Sequence, residues 1–210
     1  MGSQLHRFVR RLKSGKPVVI VSGLPRSGTS MAMKMLEAGG MELVVDNIRT
    51  ADEDNPKGYY EDERVKDLSE MEDISWLKEA RGKVIKIVSS LLNHLPESNT
   101  YKVVFMRRNL HEVLASQTKM LDRRDEESHT EDADLLSMYE AHLAKVEFQL
   151  RFRSNFETLY VDFSDAIRDP ATHVRRIADF VGGDLDVERM AEAVDGSLYR
   201  NRRTGDGSVA

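Results

Sequence analysis

The stretch Val18–Ser30, VVIVSGLPRSGTS, sets two glycines with four residues between them directly after an apolar run. That is the spacing of loops that cradle phosphate, because Gly23 and Gly28 let the backbone approach an anion closely. A loop between a buried strand and a helix also aims backbone N–H groups and the positive end of the helix dipole at one point. The lysine that grips the β- and γ-phosphates in a Walker A loop is absent, and Thr29 stands in its place. No acidic strand end suited to magnesium accompanies it. The loop is therefore read as an anion site for something other than the triphosphate tail of ATP or GTP, with Arg26 supplying a cation from inside the loop.

Such a loop needs a sheet behind it. Short, continuous apolar runs at Val18–Val21, Val84–Val88, Val103–Met106 and Leu159–Val161 have the pattern of strands buried on both faces of a parallel sheet. Helical spacing follows at Met31, Met35 and Leu36, at Leu110, Val113, Leu114 and Leu121, and at Leu135, Tyr139, Leu143, Val146 and Leu150. A last helical pattern, Val174, Ile177 and Val181, is closed by Gly182 and Gly183. The alternation predicts an α/β fold, P-loop-like, with three layers in which helices flank a central parallel β-sheet. Thr50–Arg64 reads as a charged loop leading to a helix and long enough to cover a site, and Asp122–Asp134 as a solvated helix end and loop. With no repeat and no linker, residues 1–203 are expected to form one domain and 204–210 a disordered tail.

Composition narrows the function further. A chain of 210 residues, 40% hydrophobic and 32% charged, can bury roughly 70% of its unfolded surface in one core. The absence of cysteine excludes disulfides and thiolate metal sites. No apolar run approaches the ~18 residues of a membrane span, and the N-terminus lacks the apolar core of a secretory signal, so a cytoplasmic protein is expected. A net charge of −5 argues against a general nucleic-acid binder. Six histidines show no ligand spacing for zinc, and Asp52-Glu53-Asp54 reads as a turn-rich loop rather than a metal motif, so no metal is expected.

Pro25-Arg26-Ser27-Gly28-Thr29-Ser30 resembles, residue by residue, the 5′-phosphosulfate loop of sulfotransferases that use 3′-phosphoadenosine 5′-phosphosulfate (PAPS). A second segment, KVVFMRRNLHEVLASQTKM at Lys102–Met120, is similar to the family's arginine at a strand end with a serine eight residues later. The resemblance assigns Arg108 and Ser116 to the nucleotide's 3′-phosphate; a guanidinium at the strand edge and a hydroxyl two turns along the next helix can converge on one phosphate. Weaker similarities run through NPKGYYED at Asn55–Asp62 and YVDFSDAIRDPATHVRRIADFVG at Tyr160–Gly182. SLYRNRR at Ser197–Arg203 resembles the segment that folds over the nucleotide, which implicates Arg200 and Arg202.

What the resemblance implies is in-line transfer of a sulfuryl group from PAPS to a hydroxyl or amine of a small-molecule or peptide acceptor, leaving adenosine 3′,5′-bisphosphate (PAP). Arg26 and the amides of Ser27 to Ser30 would neutralise the leaving group. Lys86, inside the apolar strand VIKIVS, needs a surface end or an anionic partner and is a candidate second cation. The run Lys86-Ile87-Val88 departs from the family's lysine-x-histidine pattern, and His94 reads as a loop histidine. The base is therefore assigned to Glu61, with Asp62 and Asp46 behind it. Trp76, Tyr59 and Tyr60 are candidates for an acceptor pocket, and Met31, Met33 and Met35 for packing. Two other readings stay open: a P-loop nucleotide kinase or phosphotransferase, and a PAP- or PAPS-binding protein without turnover. Acceptor and oligomeric state are not legible in the sequence.

Overall fold

The computed structural model describes residues 15–46, 60–123 and 132–196. Four strands, β1 (Val18–Gly23), β2 (Val84–Lys86), β3 (Tyr101–Arg107) and β4 (Phe156–Asp162), form an all-parallel sheet in the order β2-β1-β3-β4. β1 is buried along its whole length and β3 at every residue but Arg107, as continuous apolar runs in the middle of a parallel sheet must be. β4 is the half-buried edge. The opposite edge is covered: the chain at 42–44 runs beside β2, with Val44 N–H donating to the Val84 carbonyl at 2.8 Å and Val84 N–H to the Glu42 carbonyl at 2.9 Å.

Helices α1 (Thr29–Ala38), α2 (Leu110–Arg123), α3 (Asp132–Phe152), α4 (Phe163–Arg168), α5 (Pro170–Val181) and α6 (Val187–Glu192) complete the described elements. Because side chains alternate along a strand, each face of the sheet supports its own core. Val19, Val21, Val84, Val104 and Met106 pack with Met33, Met35 and Leu36 of α1 and with Val174, Ile177 and Val181 of α5. Val18, Ile20, Ile85, Ile87, Val103 and Phe105 pack with Val146 and Leu150 of α3. The result is the expected three-layer α/β arrangement. Burial of each large aliphatic side chain contributes about 1.5–3 kcal/mol, and both Met33 and Met35 are fully buried packing residues.

Local chemistry sets the ends. Asp162 caps α4 through the N–H groups of Ser164 and Asp165, Asp169 caps α5 ahead of Pro170, and Asp186 caps α6. Gly182 ends α5 at φ 79°, a left-handed conformation suited to glycine. Two strands differ from expectation. The run Val84–Val88 leaves the ladder after Lys86 and enters a 3₁₀ turn, Ser89–His94, although Ile87 N–H still donates to the Val21 carbonyl at 3.0 Å. β4 begins at Phe156 rather than Leu159, because pairing with Tyr101 and Lys102 extends strand geometry into residues whose own pattern is weak. Among the described residues no helix is long and apolar enough to cross a membrane.

Candidate functional site

The loop between β1 and α1 is a tight backbone cradle. A Cβ on Gly23 would lie 2.5 Å from Ser27 Oγ and 2.6 Å from the Met106 carbonyl oxygen; one on Gly28, where φ is 96°, would lie 2.3 Å from Cδ2 of Phe163. Both positions therefore require glycine. Arg26 also adopts a left-handed conformation, φ 67°, which costs a residue with a Cβ about 1–2 kcal/mol. Strain of this kind persists where the surroundings over-determine the backbone. Gly28 occupies the N-cap of α1 with no side-chain cap and no acidic residue in the first turn. The N–H groups of Thr29, Ser30 and Met31 have no carbonyl one turn earlier within the helix, so this helix end is suited to an anion.

The loop also uses part of its own polar inventory. Ser27 Oγ donates to the Leu24 carbonyl at 2.7 Å and Ser27 N–H donates to the same oxygen at 3.2 Å. Of the four amides expected to face the anion, Ser27's is turned into the loop itself. Its side chain is 1% exposed and acts as an internal brace.

Arg26 and Ser116, assigned to different ends of one nucleotide, meet directly: Arg26 Nε donates to Ser116 Oγ at 2.9 Å. Arg108 closes the same junction by donating from Nη1 to the Arg26 carbonyl at 3.0 Å and from Nε to Glu112 at 3.1 Å. The Arg108 and Glu112 side chains are only 7% and 5% exposed, and the guanidinium lies over the Phe163 ring, 4.7 Å from its centroid. The ring that limits residue 28 to glycine thus also supports Arg108. Position 112 was legible in principle as an acidic residue one helical turn after an arginine. Nothing in the sequence singled out Phe163.

Lys86 and Glu61 also come together. The ammonium, 8% exposed, lies 3.0 Å from Glu61 Oε1 and so has an anionic partner despite its place in an apolar strand. The two carboxylates ranked behind Glu61 hold structure instead. Asp62 is 4% exposed, accepts from Nε and Nη2 of Arg64 at 2.9 and 2.7 Å, and caps the turn Glu63–Val65. Asp46 accepts from Glu63 N–H at 2.6 Å. Trp76 is part-buried under the Arg64 guanidinium, 4.3 Å away.

His94 lies in the 3₁₀ turn, as a loop histidine would. A histidine that the sequence reading did not consider, His142 on α3, is instead 2.8 Å from the Ser89 hydroxyl. Tyr60, half-buried with φ 53°, has its phenol pushed up to about 12 by burial and then by the charge and hydrogen bond of Glu37. Tyr59, Arg200, Arg202 and the 204–210 tail lie outside the described residues. Among the described residues no three His, Cys, Asp or Glu side chains converge as a metal would need.

In fold, the chain is similar to the solved "Sulfotransferase Domain from the Curacin Biosynthetic Pathway", with a TM-score of 0.51 and 13% identity over 87% of this chain and 79% of that one. No curated protein matches the sequence. A family model described as Sulfotransferase domain matches residues 16–206. That span runs from just before β1 to beyond α6, and the chain accordingly belongs to the sulfotransferase domain family.

Proposed function

We propose that the chain transfers the sulfuryl group of PAPS to a hydroxyl or amine acceptor by in-line displacement, releasing PAP. The observation that carries this reading is the junction of Arg26, Ser116 and Arg108, which sets two anion-binding elements from different crossovers side by side. The donor set suits the nucleotide: guanidinium and hydroxyl groups meet at a backbone cradle that has no room for a Cβ at Gly23 or Gly28. When bound, PAPS supplies the electrophilic sulfur and a phosphate leaving group.

Arg26 and the first-turn amides Thr29 and Ser30 stabilise charge on that leaving phosphate, with Pro25, Ser27 and Gly28 shaping the loop that presents them. Arg108 and Ser116 hold the 3′-phosphate, and Arg200 and Arg202 are assigned to the same nucleotide. Lys86 places a second cation at the carboxyl end of β2, with Glu61 beside it. The ion pair that holds Glu61 gives it a positioning role toward Lys86.

Calorimetry tests the reading directly. Adenosine 3′,5′-bisphosphate should bind without magnesium and Mg-ATP should not; the reverse result would refute it. Arg108→Ala should weaken the 3′-phosphorylated nucleotide far more than its 3′-dephospho analogue, and equal losses would remove Arg108 from the 3′ end. Transfer of labelled sulfate from PAPS separates a catalyst from a binder.

A further inference from the structure

We propose that Ser89 and His142 form the proton-accepting pair of this site: the acceptor hydroxyl passes its proton to Ser89 Oγ while the Ser89 proton moves to His142 Nε2. This rests on the sulfuryl-transfer reading and moves the role of base from Glu61, which is paired with the Lys86 ammonium, to His142.

The placement follows from the sheet. Val21 of β1 is in register with Lys86 of β2, and Ile87 N–H still donates to the Val21 carbonyl. Three residues beyond Val21 the anion loop opens at Leu24, and three beyond Lys86 stands Ser89. The serine therefore emerges beside the loop at the same sheet edge. It is 3% exposed, with its hydroxyl 2.8 Å from His142 Nε2.

The helix α3 that carries His142 makes a second polar contact one turn earlier. Tyr139 donates to Gln117 Oε1 at 2.6 Å, and Gln117 follows Ser116 directly on α2. One face of α3 therefore reaches to the neighbour of Ser116 and to the end of β2, on the two sides of the loop. Ser22, the last position of β1 before Gly23, continues the side-chain face of Val18 and Ile20, which is the α3 side of the sheet. It is fully buried, and its hydroxyl has no partner among the described residues. A buried polar group of this kind calls for an explanation, and Ser22 lies on the sheet face that α3, the helix carrying His142, covers.

The ring is also in the right state. Burial, and then the charge of Lys145, holds the His142 imidazole below the usual histidine range, which keeps it neutral and able to accept at neutral pH. The step balances: the acceptor oxygen bonds to sulfur as the bond from sulfur to the phosphate oxygen breaks. The acceptor proton ends on Ser89 Oγ, the proton that Ser89 gives up ends on His142 as imidazolium, and the electron pair of the broken bond leaves with PAP.

The test uses the full chain with PAPS and p-nitrophenol, followed by ring-nitrogen NMR of the PAP-loaded protein. His142→Ala should lower kcat by about 10²- to 10⁴-fold with PAP affinity changed less than about twofold, and added imidazole should restore part of the rate. Ser89→Ala should lose rate without imidazole rescue, and Ser89→Thr, which keeps the hydroxyl, should recover it. Unchanged turnover in His142→Ala overturns the proposal. Should p-nitrophenol not be sulfated at all, the spectra decide: a neutral His142 whose Nε2 resonance moves in Ser89→Ala supports the pair, and a charged or unresponsive ring overturns it. Failure of the wild-type chain to bind PAP would refute sulfuryl transfer itself, separately from the identity of the base.

Discussion

The junction of Arg26 and Arg108 includes a backbone carbonyl and a buried aromatic ring, whereas Lys86 pairs with Glu61, and Ser89 with His142, through side chains. On the proposed donor side a carbonyl oxygen, a helix N-terminus and Phe163 fix each group, and two glycines have no room for a Cβ. At the end of β2, Lys86 pairs with Glu61 and Ser89 with His142 across elements that share no tight turn. Backbone cradles have one geometry; side-chain pairs can exchange partners at modest cost. The physical lesson is a division of labour. On the proposed function, a rigid frame would hold an anion of fixed shape, and a more adaptable wall would meet an acceptor that must enter, react and leave.

The largest expected effect tests the rigid side. Arg108→Ala takes the guanidinium partner from the buried Glu112 carboxylate, and denaturant unfolding should show a loss of about 3–5 kcal/mol; a loss under about 1 kcal/mol would mean that Glu112 relaxes to water. Glu112→Gln in the same background should recover part of the deficit. Gly28→Ala should cost about 2–4 kcal/mol through its left-handed φ and its clash with Phe163. Phe163→Ala should make that substitution less harmful, and strict additivity in the double-mutant cycle would contradict the contact.

Ser116→Ala removes a neutral acceptor from Arg26 and should weaken PAP binding roughly three- to tenfold, corresponding to a hydrogen bond of about 0.5–1.5 kcal/mol. On the adaptable side, Tyr60 offers an alkaline readout. With its phenol raised to about 12 in the folded state, the stability it adds is fully present below the unfolded value of about 10 and is lost as pH rises through about 12. Tyr60→Phe should flatten that decline, although buried Tyr101, also raised to about 12 by burial, will keep part of it. An unchanged alkaline profile would remove Tyr60 from the account. The smallest effect is expected away from both sides. Phe148 and Phe152 stack on the outer part of α3, 63% and 64% exposed, beside a groove of about 640 Å³ at the β4 edge. Replacing either by Ser should change stability by no more than about 0.5 kcal/mol.

The same contrast explains what could be read from the chain. The glycine loop and the Arg108–Ser116 pair are short segments whose chemistry is contiguous, so the loop's spacing brought Arg26 forward and the family resemblance brought Arg108 and Ser116. The four strands were legible because burial on two faces leaves unbroken apolar runs, and only their ends, at Lys86 and Phe156, were set by partners elsewhere. Ser89–His142 and Gly28–Phe163 were invisible for the opposite reason. Each joins residues far apart in sequence, and no local pattern marks Ser89, His142 or Phe163 as a partner. Glu61 was chosen for its loop, and its link to Lys86 became visible only in three dimensions.

Phe163 lies under a loop made long before it in the chain. While the protein is being synthesised, the glycine turn emerges first, with neither β3 nor the aromatic floor to hold it in its strained shape. On the proposed function, affinity for nucleotide appears late and abruptly, once β4 has docked and delivered that ring. A nascent chain halted before β4 would expose the full signature of the loop and yet bind nothing.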